Sequence, residues 1–186
     1  MYAYMEVIIL NLIGIDPRRL YLHSFRLHKI YDDEYLAIIK DLLNTKELQI
    51  LKTNIQHGDI TTYEHVRSVS YISYRICKKW GLNYRAAARA GLLHDLVYYD
   101  WHVKDKSHRF HGYRHPGFAL HNALKLTKLS DLEKDIIIRH MWPLTIIPPK
   151  YIEAMIVSCV DKYCAAKETM RRYEPILEVF KYAELY

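Results

Sequence analysis

The adjacent pair His94-Asp95 ends a stretch that is otherwise apolar, Gly91-Leu92-Leu93-His94-Asp95-Leu96. Removing such side chains from water without partners costs roughly 2–7 kcal/mol for a neutral polar group and more for a charge. A metal ion is the best candidate to compensate them, and the chain carries further groups of the same chemistry: His65, His115, His140 and Asp161. Asp161 lies in the apolar segment from Ala154 to Ala165, where a carboxylate needs either a lysine or arginine partner or a metal. Taken singly, each histidine reads more readily as a hydrogen-bonded core or helix-end residue, and it is their joint appearance that favours ligation. Imidazole with carboxylate suits Mn, Fe, Co, Ni or Zn and disfavours oxygen-only ions such as calcium. Six groups are too many for one catalytic ion that keeps positions for water and substrate. Two ions sharing a bridging carboxylate account for the count better, and Asp95 is the natural bridge.

These residues must be positioned by helices, because apolar residues recur at three- and four-residue spacing along most of the chain with no convincing alternating run. The fold class expected is all-α. One helix is predicted from about Asp33 to Leu43 and another from about Glu47 to Gln56. Thr61-x-x-Glu64 is a capping box that starts a long helix ending near Trp80, with Gly81 as its stop. Asn83 caps the next, which runs into His94-Asp95. The polar, His-rich segment from Tyr98 to Arg114 reads as a surface loop bordering the site. A helix is expected to resume at His115-Pro116, with proline at its first position and His115 near the N-cap. Ser130-x-x-Glu133 is a second capping box, for a helix ending around His140 because Pro143 cannot continue it. A helix from Tyr151 to about Arg172 and a short last one from Glu174 to Ala183 complete the reading, and Val7 to Ile15 reads as a short packed strand or helix.

At 186 residues the chain fits a single domain, long enough to bury about 70% of its unfolded surface without metal or disulfide staples. A metal here is therefore functional before it is structural. Three cysteines, Cys77, Cys159 and Cys164, with no CxxC spacing, indicate neither a disulfide framework nor a thiolate zinc site and fit a reducing cytoplasm. The formal charge of +6 is spread along the chain rather than gathered in a patch, which argues against nucleic acid as a partner. Val7 to Ile15 is too short and too interrupted for a signal peptide or a membrane span, so no membrane association is expected.

The order His65, His94-Asp95, Asp161 resembles the HD superfamily of metal-dependent phosphohydrolases, named for its His-Asp pair. The resemblance runs from about Leu48 to Ala166 and implies a helical bundle in which these four residues bind the primary metal. The intervening His115 and His140 match the subset of that superfamily with a dinuclear centre, where they bind the second ion. The resemblance thus implies a single HD-type domain over residues 1–186 and hydrolysis of a phosphoester of a small metabolite, a nucleotide or phosphomonoester, with Asp95 and His94 catalytic. One alternative is a dinucleoside polyphosphate hydrolase of the related small bacterial type. Another, of a different class, is a non-catalytic nucleotide-binding regulatory module. Arg114, Lys104 and Lys162 are candidates to hold substrate phosphate, and His57 and His111 to orient ligands or pass a proton. The sequence departs from many dinuclear members in having Tyr98, not lysine, three residues beyond Asp95, and no Gly-Tyr-Pro follows the doublet. Both departures disfavour a cyclic-di-GMP phosphodiesterase.

Overall fold

The computed structural model describes residues 32–57, 60–98 and 111–171. The elements are α1 (Asp33–Leu43), α2 (Lys46–Ile50), β1 (Ile55–His57), β2 (Ile60–Thr61), α3 (Thr62–Lys79), α4 (Tyr84–Leu93), α5 (His111–Leu126), α6 (Asp131–Arg139) and α7 (Ile152–Arg171). The fold is an all-α helical bundle with one small antiparallel hairpin, β1 with β2. No helix among the described residues is long and apolar enough to cross a membrane.

The long central helix α3 lies against α4 and α7, and α6 bridges α4 and α7, with α5 packed on α6. Local chemistry sets its ends. Thr61 accepts from the Glu64 amide while Glu64 Oε2 accepts from the Thr61 amide at 2.9 Å, so two otherwise orphaned amides are bonded. At the other end Gly81 adopts φ +67°, which lets the Leu82 amide reach the Cys77 carbonyl at 2.9 Å and the Gly81 amide reach that of Lys78 at 3.3 Å. This is a Schellman closure, and only glycine takes that backbone conformation without strain. Ser130 and Glu133 form the second capping box as expected.

Helix α3 is buried on nearly all sides, with Val66, Val69, Ile72, Ile76 and Cys77 in the apolar core and His65, Ser68, Ser70 and Ser73 equally inaccessible. Helix α4 approaches it closely at Gly91, where a Cβ would stand 2.9 Å from the Ser70 Cα. Beside that contact the Tyr35 hydroxyl donates to Ser70 Oγ at 2.9 Å and Ser70 donates to the Ala88 carbonyl at 2.6 Å, tying α1, α3 and α4 together.

Two expectations are corrected. Helix α2 stops at Ile50, and residues placed in its continuation form a turn and then β1, with Ile55 opposite Thr61 and His57 opposite Ile60. Leu48, Leu51 and Ile55 fit helical spacing, but the antiparallel pairing of β1 with β2 takes residues 55–57 out of the helix. Helix α5 begins at His111 rather than His115, so Pro116 lies inside it and forgoes one backbone bond near its start. His115 consequently sits a turn within the helix, not at its cap. The segments from Val7 to Ile15 and Glu174 to Ala183 lie outside the described residues, as does most of the polar stretch between Tyr98 and Arg114.

Candidate metal centre

Five elements bring His65, His94, Asp95, His115, His140 and Asp161 to one place, each between 0 and 7% exposed. His65 comes from the first turns of α3, the doublet from the end of α4, His115 from α5, His140 from the end of α6, and Asp161 from the middle of α7. Ring nitrogens and carboxylate oxygens within 4.8 Å of one another form three overlapping groups: His65, His94 and Asp95; His94, His140 and Asp161; and Asp95, His115 and His140.

The two oxygens of Asp95 face different partners. Its Oδ1 lies 3.1 Å from His115 Nε2 and 3.4 Å from His140 Nε2. Its Oδ2 lies 3.5 Å from His94 Nε2 and 3.9 Å from His65 Nε2. Asp161 Oδ1 completes the second set, 3.1 Å from His65 Nε2 and 3.5 Å from His94 Nε2. The centre therefore has two halves, one of His65, His94 and Asp161 and one of His115 and His140, with Asp95 spanning them.

Hydrogen bonds behind the rings decide which nitrogens face inward. His94 Nδ1 lies 2.8 Å from the Gly91 carbonyl and His140 Nδ1 lies 2.7 Å from that of Ile137. A carbonyl only accepts, so both Nδ1 atoms carry protons and both Nε2 atoms present lone pairs when the rings are neutral. His94 Nε2 and Asp95 Oδ1 are buried and lack a hydrogen-bond partner among the described residues. His115 Nε2 stands 2.8 Å from the His140 Nε2 lone pair. Lone pairs and anionic oxygens packed this closely need a cation among them. His94 and His140 are the C-cap residues of α4 and α6, and a helix C-terminus also favours positive charge beside it. The donor set thus fits divalent transition metals, with nitrogen and oxygen both supplied.

Protonation equilibria follow the same field. Burial alone would push Asp95 up, but the charge of His94 and the close imidazoles of His115 and His140 hold its carboxyl well below the usual range. Burial likewise opposes the Asp161 carboxylate, and His65, His94 and Lys162 more than offset it. His65 is held well above its ordinary value, burial being outweighed by the charge of Glu168 and by Asp161. His140 is pushed down, chiefly by burial.

Two supporting residues had no distinct signal in the sequence. Glu168 Oε2 accepts from His65 Nδ1 at 2.8 Å, two helical turns beyond Asp161 on the same face of α7. That i, i+7 spacing is visible afterwards, but a glutamate near the polar end of a helix ordinarily reads as solvated. Gln56, in the hairpin, donates to Asp95 Oδ2 at 2.9 Å and accepts from the Thr62 hydroxyl at 3.0 Å.

Among the other expected residues, Lys162 donates to the His140 carbonyl at 2.7 Å and to Ser158, and its Nζ is 3.9 Å from Asp161 Oδ2. It therefore pins the end of α6 beside the centre. Arg114 is exposed one residue before His115, its guanidinium 5.3 Å from the Phe118 ring centre. His57 and His111 are placed only as backbone positions in β1 and at the start of α5, and Lys104 lies outside the described residues.

The HD-domain family profile matches residues 62–166, more than half of the chain. The chain belongs to the HD-domain family. No curated protein and no solved structure matches it. The match encloses all six converging side chains, whereas Gln56 and Glu168 fall on either side of it. The HD superfamily is one of metal-dependent phosphohydrolases, and the buried His/Asp set suits a divalent metal.

Proposed function

We propose that this HD domain hydrolyses a phosphoester of a small phosphorylated metabolite, a nucleotide or phosphomonoester, using two divalent ions of Fe, Mn, Ni, Co or Zn. The observation that carries the reading is the split orientation of Asp95, one oxygen toward His115 and His140 and the other toward His65 and His94. That is the arrangement a bridging carboxylate requires. Such ions supply Lewis-acid polarisation of phosphoryl oxygens and a water acidic enough to act near neutral pH.

The chain's own residues do the rest. His94 and Asp161 complete one half with His65, and backbone carbonyls lock the tautomers of His94 and His140 so that no ring must reorient during turnover. Arg114, exposed one residue before His115, is a candidate to meet a substrate phosphate, as are Lys104 and Lys162. His57 and His111 are candidates to pass a proton to the leaving oxygen.

The test is metal content per chain together with turnover of a panel of phosphomonoesters, nucleotides and dinucleoside polyphosphates under Mn, Co, Ni and Fe. Hydrolysis with two ions per chain, both lost in Asp95→Ala, is expected. An Asp95→Ala chain that keeps parental metal content and rate overturns the reading. Tight loading with no turnover across the panel would instead favour a nucleotide-binding regulatory module, a reading that Tyr98 in place of the expected lysine supports.

A further inference from the structure

Three imidazoles at the centre have their outer Nδ1 bonds defined, and one differs from the others. His94 and His140 donate to backbone carbonyls of their own helix ends. His65 instead bonds the carboxylate of Glu168, which comes from a different helix 103 residues away. Glu168 is completely inaccessible, and its second oxygen, Oε1, has no hydrogen-bond partner among the described residues. A buried carboxylate left half-bonded is costly, so an ionised Glu168 at this position needs a compensating role. Asp161 and Glu168 stand two turns apart on one face of α7 and clasp the same ring, Asp161 at Nε2 (3.1 Å) and Glu168 at Nδ1 (2.8 Å).

We propose that Glu168 is the positioning residue of the metal centre: its charge holds the proton on His65 Nδ1, aims Nε2 inward and makes that nitrogen a stronger donor to a bound ion. A neutral carbonyl behind His94 or His140 fixes a tautomer but adds no charge. A carboxylate adds both, and such outer partners typically change metal affinity by about 10–100-fold. Glu168 lies two residues beyond the last residue of the family match at 166. The inference rests on the metal reading given above.

Glu168→Gln isolates the charge, because the amide oxygen can still accept from Nδ1. The parent and the variant are titrated with Co(II) alone, following the visible d–d absorption, with far-UV circular dichroism and apo melting as checks on folding. Expected are a dissociation constant raised about 10–100-fold and a shifted d–d band at saturation, with the helical spectrum intact. A folded variant that binds Co(II) with parental affinity and spectrum overturns the role of Glu168 and leaves the metal reading standing. A parent that takes up no Co(II) removes both. A second measurement needs no substitution: nitrogen-15 histidine spectra of the Zn-loaded parent should show His65 protonated at Nδ1 and ligating through Nε2. The opposite tautomer at His65 refutes the proposal even if Glu168→Gln fails to fold.

Discussion

Replacing Gly91 by alanine places one methyl group where α4 meets α3. Its Cβ would stand 2.9 Å from Ser70 Cα, 3.3 Å from Ser70 N and 3.6 Å from Ser70 Cβ, and the nearest two atoms are backbone, which no side-chain rotation can move aside. Two effects oppose each other. Alanine in a helix interior is favoured over glycine by about 1 kcal/mol, while forcing an extra carbon into a packed core costs typically about 1–3 kcal/mol. With a rigid neighbour on the other side, the upper part of that range applies, so the net loss should be about 1–2 kcal/mol. For a chain of this size that lowers the melting temperature by roughly 2–8 °C. Gly91 also supplies the carbonyl that orients His94, so a shifted α4 should weaken Co(II) binding as well. Gly117 is the control: it is exposed in α5, with nothing within 4 Å of its would-be Cβ, and Gly117→Ala should be neutral or slightly stabilising. Melting curves and Co(II) titrations of both variants decide the matter. If Gly91→Ala melts at or above the parent temperature, as the control should, the close helix approach does not constrain the fold as argued.

Three further outcomes follow from the geometry. Replacing His115 and His140 together by alanine should lower metal content from two ions per chain to one, as measured by elemental analysis; loss of both ions would contradict a centre built in two halves. His65 is held above its ordinary value by Glu168 and Asp161, so an ion binding at Nε2 competes with a proton and affinity should rise with pH. Calorimetry in two buffers of different ionisation enthalpy should register proton release on metal binding, and a pH-independent affinity would contradict this. Thr61→Ala removes the cap of α3, and urea unfolding should show a loss of about 1 kcal/mol. His65 lies in that helix's first turns, so metal affinity should fall with it.

What was legible in the sequence was local. Thr61 with Glu64, Ser130 with Glu133, and Gly81 announce helix ends because the bonds they make span three to five residues. The six converging side chains were legible because a carboxylate or imidazole in an apolar helix demands a partner, and the chain holds several such residues that can answer one another. The pairing of β1 with β2 was not, since Leu48, Leu51 and Ile55 stand at helical spacing. Nor was the early start of α5, because Pro116 ordinarily marks a beginning and here is tolerated a turn and a half inside. Glu168 and Gln56 escaped for another reason. Each earns its meaning from a partner 103 or 39 residues distant, and no spacing rule reaches that far.

His94 and His140 each occupy the C-cap of a helix, and each closes its Nδ1 bond on a carbonyl three residues back that the helix end would otherwise leave free. The same bond terminates the helix and orients the ring. Neither imidazole can swing away from the centre without breaking the bond that satisfies a carbonyl in the final turn of α4 or α6, and Ser158 and Lys162 hold the second of these by the His140 carbonyl. Escape of an ion is thereby tied to fraying of those two helix ends. Its residence time should track amide hydrogen exchange in the last turns of α4 and α6, so that a mutation which only slows fraying lengthens retention without touching any group that faces the ion.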